Sequence, residues 1–253
     1  VRFASLGSGS KGNATVVQQG NTNLLVDCGF SLRELQRRLG RLGLELDDLT
    51  AVLLTHEHSD HVSGVGTLVR KHSVPVYATR GTWQKLDVEQ APQAQFINCH
   101  EDFSIDDLEV KPFPVPHDAK EPCQFVFGDG EHSLGILTDT GSITPHITNM
   151  LSGCNALILE CNHDVAMLEE SAYPRSLKQR VGGSLGHLSN DQSAHFMRHM
   201  DCSALQHFVA AHLSEKNNQP QLVRAAMAEA LCCKPQWIDI IDQQDGLEWR
   251  ALD

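Results

Sequence analysis

The segment Thr55-His56-Glu57-His58-Ser59-Asp60-His61 brings three imidazoles and two carboxylates into one short stretch. The apolar run Leu49-Thr50-Ala51-Val52-Leu53-Leu54 comes directly before it and reads as a short buried strand. The histidines therefore stand where a strand gives way to a loop, at the rim of a sheet. Neutral imidazole and carboxylate are ligands that borderline metals such as zinc accept readily. One residue separates His56 from His58, so an extended backbone sends both to the same side. Asp60 and His61 are adjacent and diverge. One metal does not easily take all four from so short a loop; two metals side by side do. The chain holds 14 histidines, so a lone imidazole needs no explanation, but four ligand-type residues at this spacing do.

Three further points offer ligands. His117 in Pro114-Val115-Pro116-His117, Asp139 in Leu137-Thr138-Asp139-Thr140-Gly141 and His212 in Ala210-Ala211-His212-Leu213 each lie just past an expected strand. Taken singly, such a residue is more often a turn or cap; their joint placement with the four-residue cluster carries the weight. Asp27 in Val26-Asp27-Cys28-Gly29 repeats the pattern. Its carboxylate either orients ligands from behind or caps the turn at Gly29.

The elements that must position these residues follow from pattern. Strands are expected at Arg2 to Leu6, Ala14 to Gln18 and Asn23 to Asp27, then a helix from Ser31 with Leu32, Leu35, Leu39 and Leu42 on one face. Ser31 with Glu34, and Ser189 with Gln192 before a helix over Asn190 to Met200, have the spacing of capping boxes. Arg33, Arg37 and Arg41 form a basic stripe, read as a solvated face with a phosphate-binding stripe as the alternative. A short helix to about His72 follows the histidine loop. Later strands are expected at Val74 to Ala78, around Phe96, and at Leu108 to Val115, Gln124 to Phe127, Leu134 to Thr138, Ala156 to Glu160, Gln206 to Ala211 and Trp237 to Ile241. A second late helix runs from Pro220 to Leu231. Mixed strands with helices flanking each half suggest two sheets packed face to face with helices outside. No linker or low-complexity tract divides the chain, so one domain over residues 1–253 is expected.

Composition bounds the function. A chain of 253 residues can bury a substantial core. A net charge of −12 argues against coating nucleic acid by bulk electrostatics, though not against a local site that grips phosphate. No apolar run is long enough to cross a membrane. The first residues turn polar and Gly-rich at once and do not read as a secretory signal. The eight cysteines include no Cys-x-x-Cys pair and read as reduced, mostly buried thiols. The expectation is a cytoplasmic protein.

Taken together, these segments resemble the metallo-β-lactamase superfamily, whose fold is an αββα sandwich of two mixed sheets with helices on the outer faces. Asp27 matches its first motif, His56-x-His58-x-Asp60-His61 its second, His117 its third, Asp139 its fourth and His212 its fifth, over nearly the whole chain. The resemblance implies two divalent metal ions, zinc or manganese. The first would take His56, His58 and His117, the second Asp60, His61 and His212, with Asp139 bridging. Water between the metals would be the nucleophile, since two cations lower its pKa and stabilise an anionic transition state.

Other segments resemble the YycJ (WalJ)-like branch: Gly7-Ser8-Gly9-Ser10-Lys11-Gly12-Asn13, Glu160-Cys161-Asn162-His163-Asp164, Gly186-His187-Leu188-Ser189-Asn190 and the run from His212 to Asn218. That branch implies 5′-to-3′ DNA exonuclease activity, DNA as the substrate partner and a role in DNA repair. Glu160 and His187 are also similar to a pair in tRNase Z that assists the leaving group; the catalytic set implied is Asp60, Glu160 and His187. A carboxylate beside an imidazole raises its pKa and fixes its tautomer, which suits a general acid. The alternative for His187 is a helix-end histidine bonded to a carbonyl. His163 and Asp164 are further candidates. The Gly/Ser segment from Gly7 offers amides to phosphate or forms a tight hairpin, and the hairpin is favoured.

Only 20 residues, Thr140 to Leu159, separate Asp139 from Glu160, which leaves no room for a β-CASP domain or a long tRNA-gripping arm. Flavodiiron proteins carry glutamate where this chain has His58. The competing functions are a phosphodiesterase of small cyclic or ribosyl esters, a metal-bound regulatory protein without turnover, and a mononuclear iron dioxygenase.

Overall fold

The computed structural model describes residues 1–86 and 92–253. In chain order the elements are β1 (Arg2–Gly7), β2 (Ala14–Gln19), β3 (Thr22–Val26), α1 (Leu32–Arg41), β4 (Ala51–Leu53), α2 (Ser59–Val62), α3 (Val65–Lys71), β5 (Val76–Thr79), α4 (Arg80–Trp83) and β6 (Ala94–Ile97). Then come β7 (Phe103–Ile105), β8 (Leu108–Pro114), β9 (Cys123–Gly128), β10 (Ser133–Leu137), α5 (Pro145–Leu151), β11 (Ala156–Glu160), α6 (Val165–Glu170) and α7 (Arg175–Val181). The last are α8 (Asn190–His199), β12 (His207–Ala211), α9 (Pro220–Ala230), β13 (Asp239–Ile240) and β14 (Leu247–Ala251). Among the described residues the strands fall into two sheets of seven. The chain divides into two compact units, one of residues 1–114, 119–133 and 242–253, the other of 115–118 and 134–241.

In the first unit β14, β1, β2 and β3 run antiparallel, and β4, β5 and β6 continue in parallel from β3. β3 and β4 are in register with Val26 opposite Leu53, so the residues that follow them leave the same edge of the sheet. Leu35 and Leu39 of α1 are fully buried in one cluster with Val16, Leu25 and Val52. The cap of α1 forms only in part. Ser31 Oγ accepts from the Glu34 N–H at 3.4 Å. The Glu34 carboxylate does not return to Ser31; it is held by Arg37 and Arg38, each at 2.6 Å. The Arg37 bond is the largest cause of a Glu34 pKa brought down to about 2; it and the Arg38 bond together outweigh the cost of burial. Nor is the arginine stripe a uniformly solvated face: Arg41 donates to the Gln244, Asp245 and Leu6 carbonyls at 3.1–3.2 Å, tying α1 to β1 and to the turn before β14.

The second unit contains β10, β11, β12 and β13 in parallel. β11 is buried along its whole length between β10 and β12, which is why Ala156-Leu157-Ile158-Leu159 is continuously apolar rather than alternating. Its carboxyl end, with those of β10 and β12, forms one edge. Ligand-binding residues of parallel sheets gather at such edges. Both halves of the capping box at Ser189 and Gln192 form, at 3.2 and 2.8 Å, and fix the start of α8.

The strand expected over Trp237 to Ile241 is reduced to Asp239–Ile240, because Pro235 starts a 3₁₀ turn over Pro235–Trp237. The short helix after the histidine loop is two helices. Asp60 and His61 therefore lie in the first turn of a helix rather than in a loop.

Gly29 shows how closely β3 and α2 are joined. A Cβ there would stand 1.8 Å from the Asp60 carbonyl oxygen. Gly29→Ala should lower stability by about 1–3 kcal/mol or more through overpacking against backbone. Gly40→Ala is the control: it sits inside α1 with nothing within 4 Å of the added carbon, and should be neutral or stabilising by about 0.5–1 kcal/mol. Urea unfolding of the two variants checks the contrast.

Candidate metal centre

Three of the residues singled out from the sequence share one backbone feature. Asp27, Asp139 and His212 have φ of 63°, 51° and 56°, the left-handed region that non-glycine residues rarely adopt. Each comes within two residues of the end of a parallel strand, β3, β10 or β12. The turn swings the side chain off the line of the strand. Such strain persists where surrounding contacts over-determine it, and it clusters at functional sites. Asp27 and Asp139 each precede a glycine by two residues. A Cβ on Gly141 would meet the backbone of Ser184, Leu185 and Gly186 at 2.4–2.5 Å. The segment before His187 thus lies directly on the turn after Asp139.

In the first unit, Asp27 is buried and gathers the histidine segment. Its Oδ1 accepts from the Thr55 N–H at 2.9 Å, and Thr55 Oγ1 also lies within hydrogen-bond distance of both carboxylate oxygens. Its Oδ2 accepts from His61 Nδ1 at 2.7 Å. That bond leaves Nε2 as the nitrogen with a lone pair. Asp27 is therefore no mere turn cap. The His56 ring centroid lies 4.6 Å from that of His58 and 4.2 Å from that of His61, and Asp60 Oδ2 is 3.6 Å from His61 Nε2. Four residues of the sequence cluster thus converge. Asn13, which sequence reasoning did not single out as a functional residue, closes the group. Its side-chain amide reaches His61 Nε2 at 3.1 Å and the Asp60 carbonyl at 3.4 Å. Its oxygen accepts from Ser8 Oγ and the Gly9 N–H. The Gly/Ser segment is the hairpin connection between β1 and β2, organised by Asn13.

In the second unit, the ligand-type atoms of Asp139, Glu160, His187 and His212 all lie within 4.8 Å of one another. Glu160 ends β11 and is fully buried. One of its oxygens accepts from His187 Nδ1 at 2.8 Å and His212 Nδ1 at 3.1 Å, the other from the Thr140 and Leu188 N–H groups at 3.1 Å. Burial alone would raise its pKa. The neighbouring His187 charge and the bonds from His187 and His212 outweigh burial and hold the carboxyl well below the usual range. Conversely, burial pulls the His187 pKa down, but the Glu160 carboxylate, with Asp139 adding to it, raises it above the ordinary histidine value. His187 is thus bound to a carboxylate and not to a carbonyl, against the helix-end alternative. His117 belongs to the same unit. Its ring lies 5.4 Å from that of His187, and its Nδ1 donates to the Gly186 carbonyl at 3.1 Å.

Of the other candidates, Asp164 caps α6 by accepting from the Met167 N–H at 2.9 Å. His163 is buried, and burial lowers its pKa despite the pull of Glu160. Two asparagines that the sequence reading did not select hold the strand ends in place. Asn162 Nδ2 donates to the His212 carbonyl at 2.9 Å, and Asn218 Nδ2 donates to the Cys161 and Asn162 carbonyls at 2.8 and 3.1 Å. Their signal was proximity: both fall in runs already quoted around Glu160 and His212.

The imidazole nitrogens and carboxylate oxygens gathered in each unit form a donor set suited to a borderline divalent cation. The Nδ1 atoms of His61, His187, His212 and His117 are spent on Asp27, Glu160 and a backbone carbonyl, an arrangement that orients metal-binding histidines elsewhere.

The family model of the beta-lactamase superfamily domain matches residues 22–212. The chain is 37% identical over 235 residues to exodeoxyribonuclease YycJ of Bacillus anthracis, covering 91% of this chain and 89% of the relative. It is 33% identical over 236 residues to exodeoxyribonuclease WalJ of Streptococcus pneumoniae serotype 2, covering 91% and 88%. The structure superposes on that of the metallo-β-lactamase fold protein YhfI from Bacillus subtilis with a TM-score of 0.76 at 18% identity over 99% of both chains. The expected αββα architecture of two mixed sheets is thereby found. The chain belongs to the metallo-β-lactamase superfamily, and within it to the YycJ-like branch.

Proposed function

We propose that this chain is a metal-dependent phosphodiester hydrolase acting on DNA ends as a 5′-to-3′ exonuclease, with a role in DNA repair. The observation that carries the reading is the identity to two exodeoxyribonucleases over nine-tenths of the chain. The Glu160–His187 pair supports it, because His187 is not among the assigned metal ligands and a carboxylate-held imidazole outside the ligand set suits a proton donor. The family model spans most of both compact units, which supports reading residues 1–253 as one hydrolase domain. The eight cysteines form no disulfide among the described residues, in keeping with a reducing, cytoplasmic setting. No described helix is long and apolar enough to cross a membrane.

Two divalent ions, zinc or manganese, are assigned to this chain's donors: His56, His58 and His117 for the first, Asp60, His61 and His212 for the second, Asp139 for both. Bound there, they would supply an activated water and positive charge for the phosphate oxygens. The protein's own residues do the rest. Asp27 holds the His61 ring by Nδ1, and Glu160 holds the His212 ring in the same way. His187, fixed at Nδ1 by Glu160, presents Nε2 to the leaving oxygen and donates a proton to it. Asp60 serves the reaction through its carboxylate at the rim of the first cluster.

Three outcomes test the proposal. Protein refilled with zinc or manganese should approach two ions per chain by elemental analysis. Asp139→Ala should lose both, whereas His212→Ala should chiefly weaken the second; saturation at one ion with full activity would contradict the assignment. On end-labelled DNA, degradation should begin at 5′ ends. Its salt dependence should be shallow, because a chain of charge −12 neutralises few phosphates through a few local cations such as Lys11 and Lys216. Linear DNA left intact under every metal, with fast turnover of cyclic nucleotides, would point to a small-ester phosphodiesterase instead. Finally, His187→Ala should cut turnover on DNA by roughly 10²–10⁴-fold with metal content intact. A substrate with a nitrophenolate leaving group, which needs little protonation, should be largely spared. Glu160→Gln should err in the same direction by less. Equal loss on both substrates would assign His187 to phosphate binding.

A further inference from the structure

Within the second unit, α8 presents His195 and His199 one helical turn apart, both exposed, with ring centroids 4.3 Å apart. They line a groove of about 460 Å³ whose apolar floor is half-buried Ile143 beside Thr148, backed by the buried Leu188 and Phe196. Asp191 and Gln192 stand at the same groove. The groove joins segments already tied to the candidate site. Leu188 follows His187, and its N–H is bonded to Glu160 at 3.1 Å. Ser142, also in the groove, lies three residues past Asp139 and donates to the Ser184 carbonyl at 3.2 Å.

The chemistry of the groove selects its occupant. Among the described residues no lysine or arginine lines it, and it contains a carboxylate, so it is not built for phosphate. An apolar floor with flat imidazoles beside it suits a planar heteroaromatic ring, since histidine is one of the side chains on which unpaired bases stack. The polar groups suit the edge of such a ring. The Gln192 Oε1 is already taken by the Ser189 N–H at 2.8 Å, which leaves its NH₂ as a donor. The Asp191 carboxylate is an acceptor for exocyclic amino groups. His199 Nδ1 donates to the His195 carbonyl at 2.7 Å, which fixes its ring in the wall. The volume lies in the range of small-molecule sites and exceeds that of a single base.

We propose that this groove is a nucleobase subsite, which takes one unpaired base of the DNA strand next to the scissile phosphate and stacks it against His195 and His199. The inference rests on the exonuclease reading for the identity of the strand. It adds that substrate is gripped by a base as well as by phosphate, and that strand ends must be unpaired there before cleavage.

The test is a cycle between the base and the two imidazoles, using metal-loaded enzyme. Single abasic sites are placed in turn at the first three nucleotides of a labelled single strand, and kcat/KM is measured for wild type and for the His195→Ala/His199→Ala double variant. One abasic position should cost the wild type about tenfold, through KM, in line with stacking of one base on an aromatic wall. The double variant should show that loss on intact DNA and be indifferent to the abasic site, while cleaving the abasic strand as well as wild type does. Abasic and intact strands cleaved alike by wild type, or a variant that loses equally on both, would overturn the subsite. A second arm separates this failure from that of the exonuclease reading. 2-Aminopurine 2′-deoxyriboside, which has no phosphate, should show saturable fluorescence quenching with wild type and none with the double variant, whether or not DNA is cleaved. Absence of saturable quenching in wild type would overturn the base site itself.

Discussion

A buried carboxylate at the end of a strand must be satisfied on every side. Glu160 is in that position, and the second unit is arranged around its demands. An ionised group out of water needs partners in good geometry, and breaking such a set costs on the order of 3–5 kcal/mol. Glu160 finds four donors: two imidazoles and two backbone amides. The four donors come from three candidate segments. The Thr140 amide fixes the turn after Asp139, the Leu188 amide fixes the peptide after His187, and the rings of His187 and His212 are oriented directly. The Glu160 carbonyl in turn accepts from Ser193 Oγ at 2.6 Å, which anchors α8. One ionised side chain thereby fixes two strand-end turns, the His187–Leu188 segment and one helix.

The first unit uses the same device on a smaller scale. Asp27, at the end of β3, binds the Thr55 amide and hydroxyl and the His61 ring. In both units a carboxylate takes imidazole by Nδ1, at His61 and at His212, and so leaves Nε2 with the lone pair. In both, a glycine two residues beyond an aspartate with positive φ admits backbone at a distance no Cβ would allow. The chemistry proposed here thus depends on fixed tautomers and fixed ring planes, which the carboxylates impose and the tight turns preserve.

Much of this was legible in the sequence, because the elements that matter are buried and their patterns are undiluted. β11 was read with its observed bounds from its continuous apolar run, and the Ser189–Gln192 box formed in full. At Ser31 the same spacing gave half a box, since Arg37 and Arg38 lie three and four residues from Glu34 and compete for its carboxylate. The edge strand Leu247–Ala251 is not among the expected strands although its apolar and charged residues alternate with the period of one; α7 has no buried residue and no apolar period to mark it. Asn13, Asn162 and Asn218 act through backbone carbonyls and neighbouring side chains across long sequence separations, which no local pattern encodes. The left-handed turns at Asp27, Asp139 and His212 were equally silent, although the recurring Asp-x-Gly spacing at the first two was present to be seen.

The central claim is that carboxylates dictate the protonation of the imidazoles they hold. Long-range ¹H–¹⁵N spectra of the zinc-loaded protein read this directly. The account predicts that His187 and His212 both carry a proton on Nδ1 at pH 8, with His187 Nδ1–H strongly deshielded by its bond to Glu160. A bare Nδ1 on either ring, with the proton on Nε2, would contradict it.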